Sequence, residues 1–287
     1  MSRDTSFYYS FLVLPPRKRN AILAVWDFCR AVDDAVDEVV PENEWNSGLT
    51  PAAQARAVDS LATWRDELER IYGGVPLTSQ GKSLQPWVEE FSLPKREFKT
   101  LIDGVEMDLS FAKYPDFEAL SSYCHKVAST VGLICVEIFG YRDPGARDYA
   151  MNLGMALQLT NIIRDVADDL KRGRIYLPMD DLAWFHVTEQ DLRAGVVTPN
   201  VKSLMRYQCR RARYYYRLAS ERLPRIDRRS LVAAEIMGEI YFAILRKIER
   251  ARYDVFTRRI RVARPRRALI ALDIWSRAML EPRRFKR

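Results

Sequence analysis

Apolar residues recur every three to four positions along almost the whole of this 287-residue chain, and nowhere does a period-two alternation persist. An α-helix turns once every 3.6 residues, so this recurrence puts one apolar stripe on each helix and requires the helices to pack against one another. Strand signals are nearly absent, and the fold class read here is all-α: a helical bundle forming a single domain over 1–287. Proline and glycine set the breaks. Pro15-Pro16 opens a first helix that runs to Val40 before Pro41, and a second covers 51–72 before Gly73-Gly74. Further helices are predicted at 82–91, 94–112, 116–140, 146–171, 197–222, 227–251 and 265–280.

No apolar run reaches the ~18 residues needed to span a bilayer. The first residues lack the charged-then-apolar layout of a signal peptide, so a cytoplasmic location is expected. Cys29, Cys124, Cys135 and Cys209 show no CxxC pairing and read as free thiols inside helices. Residues 202–287 hold 25 Lys and Arg against 8 Asp and Glu, whereas residues 1–201 hold 21 against 30. A basic rear half suits nucleic acid, an anionic membrane surface or a polyanionic substrate. Its arginines alternate with apolar residues at helical spacing and no nucleic-acid motif is present, which disfavours the first. Contact with an anionic membrane at the periphery fits better.

Two segments carry the chemistry. In Phe28-Cys-Arg-Ala-Val-Asp-Asp-Ala-Val-Asp-Glu38, Arg30, Asp33 and Asp37 share one helical face. In Gln158-Leu-Thr-Asn-Ile-Ile-Arg-Asp-Val-Ala-Asp-Asp169, the residues Gln158, Asn161, Asp165 and Asp169 do the same, with Leu159, Ile162, Ile163 and Val166 as an apolar flank. Like carboxylates at i and i+4 repel, and a divalent cation reverses the sign. Magnesium, which takes oxygen ligands and shares them with substrate phosphates, suits the task. Either segment alone reads first as a solvated acidic face; two in one helical chain, facing each other across a bundle, would make a polyanion site. Walker A, GxGxxG and HExxH patterns are absent, and His125 and His186 are the only histidines.

Ser6-Phe-Tyr-Tyr-Ser-Phe11, Cys29 through Asp37, Tyr123-Cys-His-Lys-Val-Ala-Ser-Thr-Val-Gly132, Gln158 through Asp169, Arg174-Ile-Tyr-Leu-Pro178, Ile240-Tyr and Tyr253-Asp-Val-Phe-Thr-Arg258 together resemble the squalene/phytoene synthase family. The resemblance spans essentially the whole chain and implies a prenyltransferase built around a deep apolar cavity. It implies magnesium, several ions per site, held by Asp33 and Asp37 and by Asn161, Asp165 and Asp169. Arg30, Tyr241 and Arg258 match positions expected to contact diphosphate, and Phe7 and Phe11 match aromatic positions near the first acidic segment. Tyr123 and Gln158 are expected beside the reacting carbons, and the 123–140 helix, with Val127, Val131, Leu133 and Ile134, at the cavity wall. Asp4 departs from the serine common in relatives. The stretch Arg229–Gly238 is similar to presqualene diphosphate synthases of hopanoid-type pathways, which implies two farnesyl diphosphates as substrates and no NADPH. A phytoene synthase using two geranylgeranyl diphosphates, or a complete NADPH-dependent squalene synthase, is the alternative within the family.

Overall fold

A computed structural model describes residues 8–37, 50–110 and 113–280. Apart from one isolated bridge between Lys113 and Ile175, the described secondary structure is helical. The helices are α1 (Tyr8–Leu12), α2 (Pro16–Asp37), α3 (Pro51–Tyr72), α4 (Ser79–Glu90), α5 (Lys95–Ser110), α6 (Phe117–Cys124) and α7 (Thr130–Phe139). They continue with α8 (Gly145–Lys171), α9 (Met179–Trp184), α10 (Glu189–Arg193), α11 (Pro199–Arg222), α12 (Val232–Arg250) and α13 (Arg264–Leu280).

The long helices lie where the apolar spacing puts them, and their ends follow local chemistry. Helix α4 starts three residues before the predicted 82, because Thr78 caps it by accepting from the Gly81 amide at 2.9 Å. Two short helices between 173 and 197 are absent from the sequence reading. The second, α10, exists through a reciprocal cap in which Thr188 and Asp191 each satisfy the other's backbone amide. The predicted 116–140 helix is interrupted: His125–Ser129 is a π-helical turn between α6 and α7. The predicted ends 38–40 and 111–112 lie outside the described residues.

Helix α8 is the central element, and α11 packs along it more extensively than any other described pair. The α7 side of α8 approaches unusually closely. A Cβ on Gly154 would stand 2.7 Å from the Ala128 carbonyl, and one on Gly132 2.6 Å from that of Ala150. Glycine at both positions lets the π turn and α7 press against α8 backbone to backbone. One apolar cluster joins α2–α5 to α7 and the start of α8, and a second joins the end of α8 to α11 and α12, with Leu157 and Tyr216 packed against both. Asp227, 1% exposed, accepts from the amides of Arg142 and Asp143 at 2.8 and 2.9 Å and ties the α7–α8 turn to the segment before α12. All four cysteines are free.

Candidate active site

Where α2, α5, α7 and α8 diverge they leave a cavity of about 360 Å³, within the range of small-molecule sites. Its walls are apolar: Leu101 and Val105 from α5, Val127 and Val131 from the π turn and α7, Leu153 and Leu157 from α8. Leu133 and Ile134, expected at this wall, are buried in the core instead. Val127, Val131 and Cys135 repeat at four residues and share the inner face, from whose centre Leu133 is turned by about 160°.

One group of polar residues interrupts the apolar lining: Arg30, Asp33, Asp108, Tyr123, Gln158 and Asn161. The tertiary fold therefore brings the first acidic segment and the N-terminal half of the second to one cavity. Phe11 lines it as expected and is 5% exposed. Arg30 is exposed and also bonds Asp34 at 3.4 Å, while Asp33 turns to the cavity. Phe7 and the side chain of Asp37 lie outside the described residues.

One turn further along α8 the second acidic segment continues. Arg164 Nε donates to Asp165 Oδ1 at 2.8 Å, and Arg259 Nε lies 3.2 Å from the same oxygen. Tyr241, buried on α12, is in hydrogen-bond contact with both Arg164 and Asn161. Arg258, the residue expected at diphosphate, is not the one that reaches this cluster; its neighbour Arg259 is. Arg258 instead lines a surface cleft with Arg246 and Arg250 of α12. Those two positions lie about 140–180° around α12 from Tyr241, on its far face.

Two observations bear on a metal. Asn161 Oδ1 is buried and has no hydrogen-bond partner among the described residues, while its amide nitrogen donates to Gln158 at 3.4 Å. The Asp169 carboxyl is pushed up to about 8, chiefly by burial and then by the charges of Asp165 and Asp108, against the pull of Arg174 and Arg172. An acceptor oxygen without a donor and a carboxylate repelled by its neighbours are both relieved by an oxygen-seeking dication. Among the described residues no three His, Cys, Asp or Glu side chains converge on a single point.

A second network was not anticipated. Tyr176 Oη donates to Asp108 Oδ1 at 2.8 Å and Tyr123 Oη to Oδ2 at 3.2 Å, the rings stacked at 5.3 Å between centroids. Asp108 is 7% exposed, and burial together with its charge holds both phenols well above their ordinary pKa. Its sequence signal was an aspartate flanked by buried Val105 and Leu109 on an otherwise amphipathic helix. Tyr123 thus reaches the cavity as a neutral, anchored hydroxyl.

Residues 1–266 match the model of the squalene/phytoene synthase family. The phytoene synthase of Arthrospira platensis is 38% identical over 269 residues, covering 88% of this chain and 82% of the relative. The 15-cis-phytoene synthase of Synechocystis is 36% identical over 287 residues, covering 96% and 82%. Among solved structures, a dehydrosqualene synthase with bound ligand superposes with a TM-score of 0.81 at 26% identity, covering 96% of this chain and 93% of that one. The squalene synthase HpnC of Alicyclobacillus acidocaldarius gives 0.62 at 25%, covering 85% and 99%. A chain whose described residues form a helical bundle, with the first acidic segment and the start of the second at one apolar cavity, and which that family model matches across nearly its full length, belongs to the squalene/phytoene synthase family and is a prenyltransferase that joins prenyl diphosphates head to head.

Proposed function

We propose that the enzyme condenses two farnesyl diphosphates to presqualene diphosphate, releasing one diphosphate and one proton. The observation that carries this choice of chain is the wall of the cavity, where Phe11, Trp26, Phe139 and Tyr149 all present rings. A longer prenyl chain must fill the same space, and overfilling a packed apolar site is costly.

In this reading Arg30 at the cavity mouth binds one diphosphate, and Arg259 with Tyr241 receives the other beside Asp165. Asp33 and Asp37 of α2, with Asn161, Asp165 and Asp169 of α8, would hold magnesium, which supplies Lewis-acid stabilisation to the departing diphosphate. When the carbon–oxygen bond of one substrate breaks, the electron pair leaves with diphosphate and an allylic cation stays. The apolar walls keep water from that cation, and the faces of nearby aromatic rings stabilise it. The double bond of the second substrate then attacks. Loss of one proton closes the cyclopropane ring while the second diphosphate is retained. Tyr123 and Gln158 border the reacting carbons, Tyr123 as a hydroxyl that Asp108 orients.

A second reading has its own support: the curated relatives at 36–38% identity named above are phytoene synthases. Geranylgeranyl diphosphate would then be the substrate. Incubation with each diphosphate and magnesium, with and without NADPH, followed by product analysis, separates the two. Presqualene diphosphate from farnesyl diphosphate, with slow turnover of the longer substrate, is expected. Efficient phytoene formation would replace this reading by the second, and squalene made only with NADPH would replace both.

A further inference from the structure

Helix α13 has two apolar faces where a surface helix needs one. Ile270, Ala271 and Ala278 are buried against α12, and Arg267 is buried beside them with its guanidinium over the Tyr9 ring. On the other side Leu269, Leu272, Trp275 and Leu280 are 58%, 61%, 41% and 81% exposed. At 100° per residue these four fall within an arc of about 140°, so they form one stripe. Nothing in the core uses it. Large apolar side chains gathered on one exposed face mark an interaction site, unlike the scattered exposed residues elsewhere.

Basic charge borders the stripe. Arg266, less than one turn before Leu269, also lines the surface cleft shared with Arg246, Lys247, Arg250 and Arg258, whose floor is Ile260 and Val262. The side chains of Arg250 and Arg266 make no hydrogen bond or ion pair among the described residues, so their guanidinium groups are available to a ligand. Beyond Leu280 the chain continues Glu-Pro-Arg-Arg-Phe-Lys-Arg. Leucines and a tryptophan on one face with arginines at its edge match the interfacial region of a lipid bilayer with anionic headgroups.

We infer that α13 and the arginine cleft beside it dock this enzyme on an anionic bilayer, an inference that rests on its substrates and product being prenyl lipids. Headgroup phosphates occupy the cleft, and Leu269, Leu272 and Trp275 enter the acyl boundary. The position is functional as well as adhesive. Tyr9 and Val13 pack beneath α13, and Phe11 of the same short helix α1 lines the catalytic cavity. Docking therefore sets α1, a wall of the cavity, next to the bilayer that holds the hydrophobic chains.

Co-sedimentation of the full chain with phosphatidylcholine vesicles, with and without phosphatidylglycerol, tests the proposal. Binding is expected only with phosphatidylglycerol and should weaken as salt is raised. Arg250→Gln and Arg266→Gln should each lower it about fivefold. The pair Leu269→Ser with Leu272→Ser should lower it about tenfold or more, while far-ultraviolet circular dichroism and turnover of detergent-dispersed substrate stay at wild-type values. The exposed arginine variants carry the test if the leucine pair fails to fold. Equal binding to both vesicle types, or unchanged binding by the arginine variants, would overturn the proposal. So would a leucine variant that turns a dimer into a monomer yet binds vesicles normally, or a preference for DNA over vesicles. Vesicle binding is read without turnover, so an enzyme that accepts neither prenyl diphosphate would refute the assigned substrate separately.

Discussion

Arg164 and Asp165, adjacent in sequence, form a two-point ion pair on α8 in which Nε donates to Oδ1 at 2.8 Å and Nη2 to Oδ2. Their side chains are only 12% and 17% exposed, so the pair lies largely out of water, and the Tyr241 hydroxyl closes it from α12. The carboxylate assigned to metal is thus held in place by a guanidinium before any ligand arrives.

That pairing separates two substitutions that look alike in sequence. Asp33→Asn and Asp165→Asn should each remove most activity. Asp33 is exposed at the cavity mouth, and its substitution should leave the urea midpoint within error. Asp165→Asn leaves Arg164 short of its counter-charge and should cost about 1–3 kcal/mol. Equal midpoints for the two variants would refute this account of the ion pair.

Turnover should stop in excess chelator and return on adding magnesium, given the unpartnered Asn161 oxygen and the repelled Asp169 carboxylate. Undiminished product formation in chelator would remove the metal from both acidic segments.

The Asp169 carboxyl also predicts a pH dependence in metal-free buffer. Its folded value of about 8 lies above the ordinary carboxylate value of about 4, so between those limits the folded state holds a proton that the unfolded state has lost. Stability from this group is full below about pH 4 and is lost as the pH rises toward 8. Thermal melts of wild type and Asp169→Asn should diverge in slope over that window, the variant being flatter. Parallel curves would mean that the carboxyl titrates normally.

Tyr176→Phe removes the 2.8 Å bond to buried Asp108 and leaves the stacked rings in place. A hydrogen bond to a charged group is worth about 1.5–3 kcal/mol, and the denaturant midpoint should fall accordingly. Turnover should fall too, because Tyr123 then has Asp108 without its second anchor. A variant with unchanged stability and rate would refute the shared-carboxylate network.

Gly154→Ala should destabilise the fold by about 1–3 kcal/mol, since the added Cβ meets backbone atoms of Ala128 and Ser129 at 2.7–2.9 Å and these cannot rotate away. Calorimetry gives the answer, and a wild-type melting temperature would show that α8 and the π turn can separate freely.

Helix positions and most of the polar residues at the cavity were legible in the sequence because both are local properties. The 3.6-residue period places apolar stripes, and the same period puts Asp33 with Arg30, and Asn161 with Gln158, on one face. Family motifs carried Tyr123 and Tyr241 by the same linear logic. What remained hidden depends on contacts between distant segments. Asp108 and Tyr176 are 68 residues apart, and only packing of α5 against the π turn and the segment after α8 makes them partners. Arg258 and Arg259 are equivalent as sequence, yet adjacent side chains diverge, so one faces Asp165 and the other the surface cleft. Leu133 and Ile134 satisfied the apolar pattern, but the pattern cannot tell a wall from a core. That distinction, like the exposed stripe of α13, is decided by which neighbour covers each face, and the tertiary fold alone supplies the neighbour.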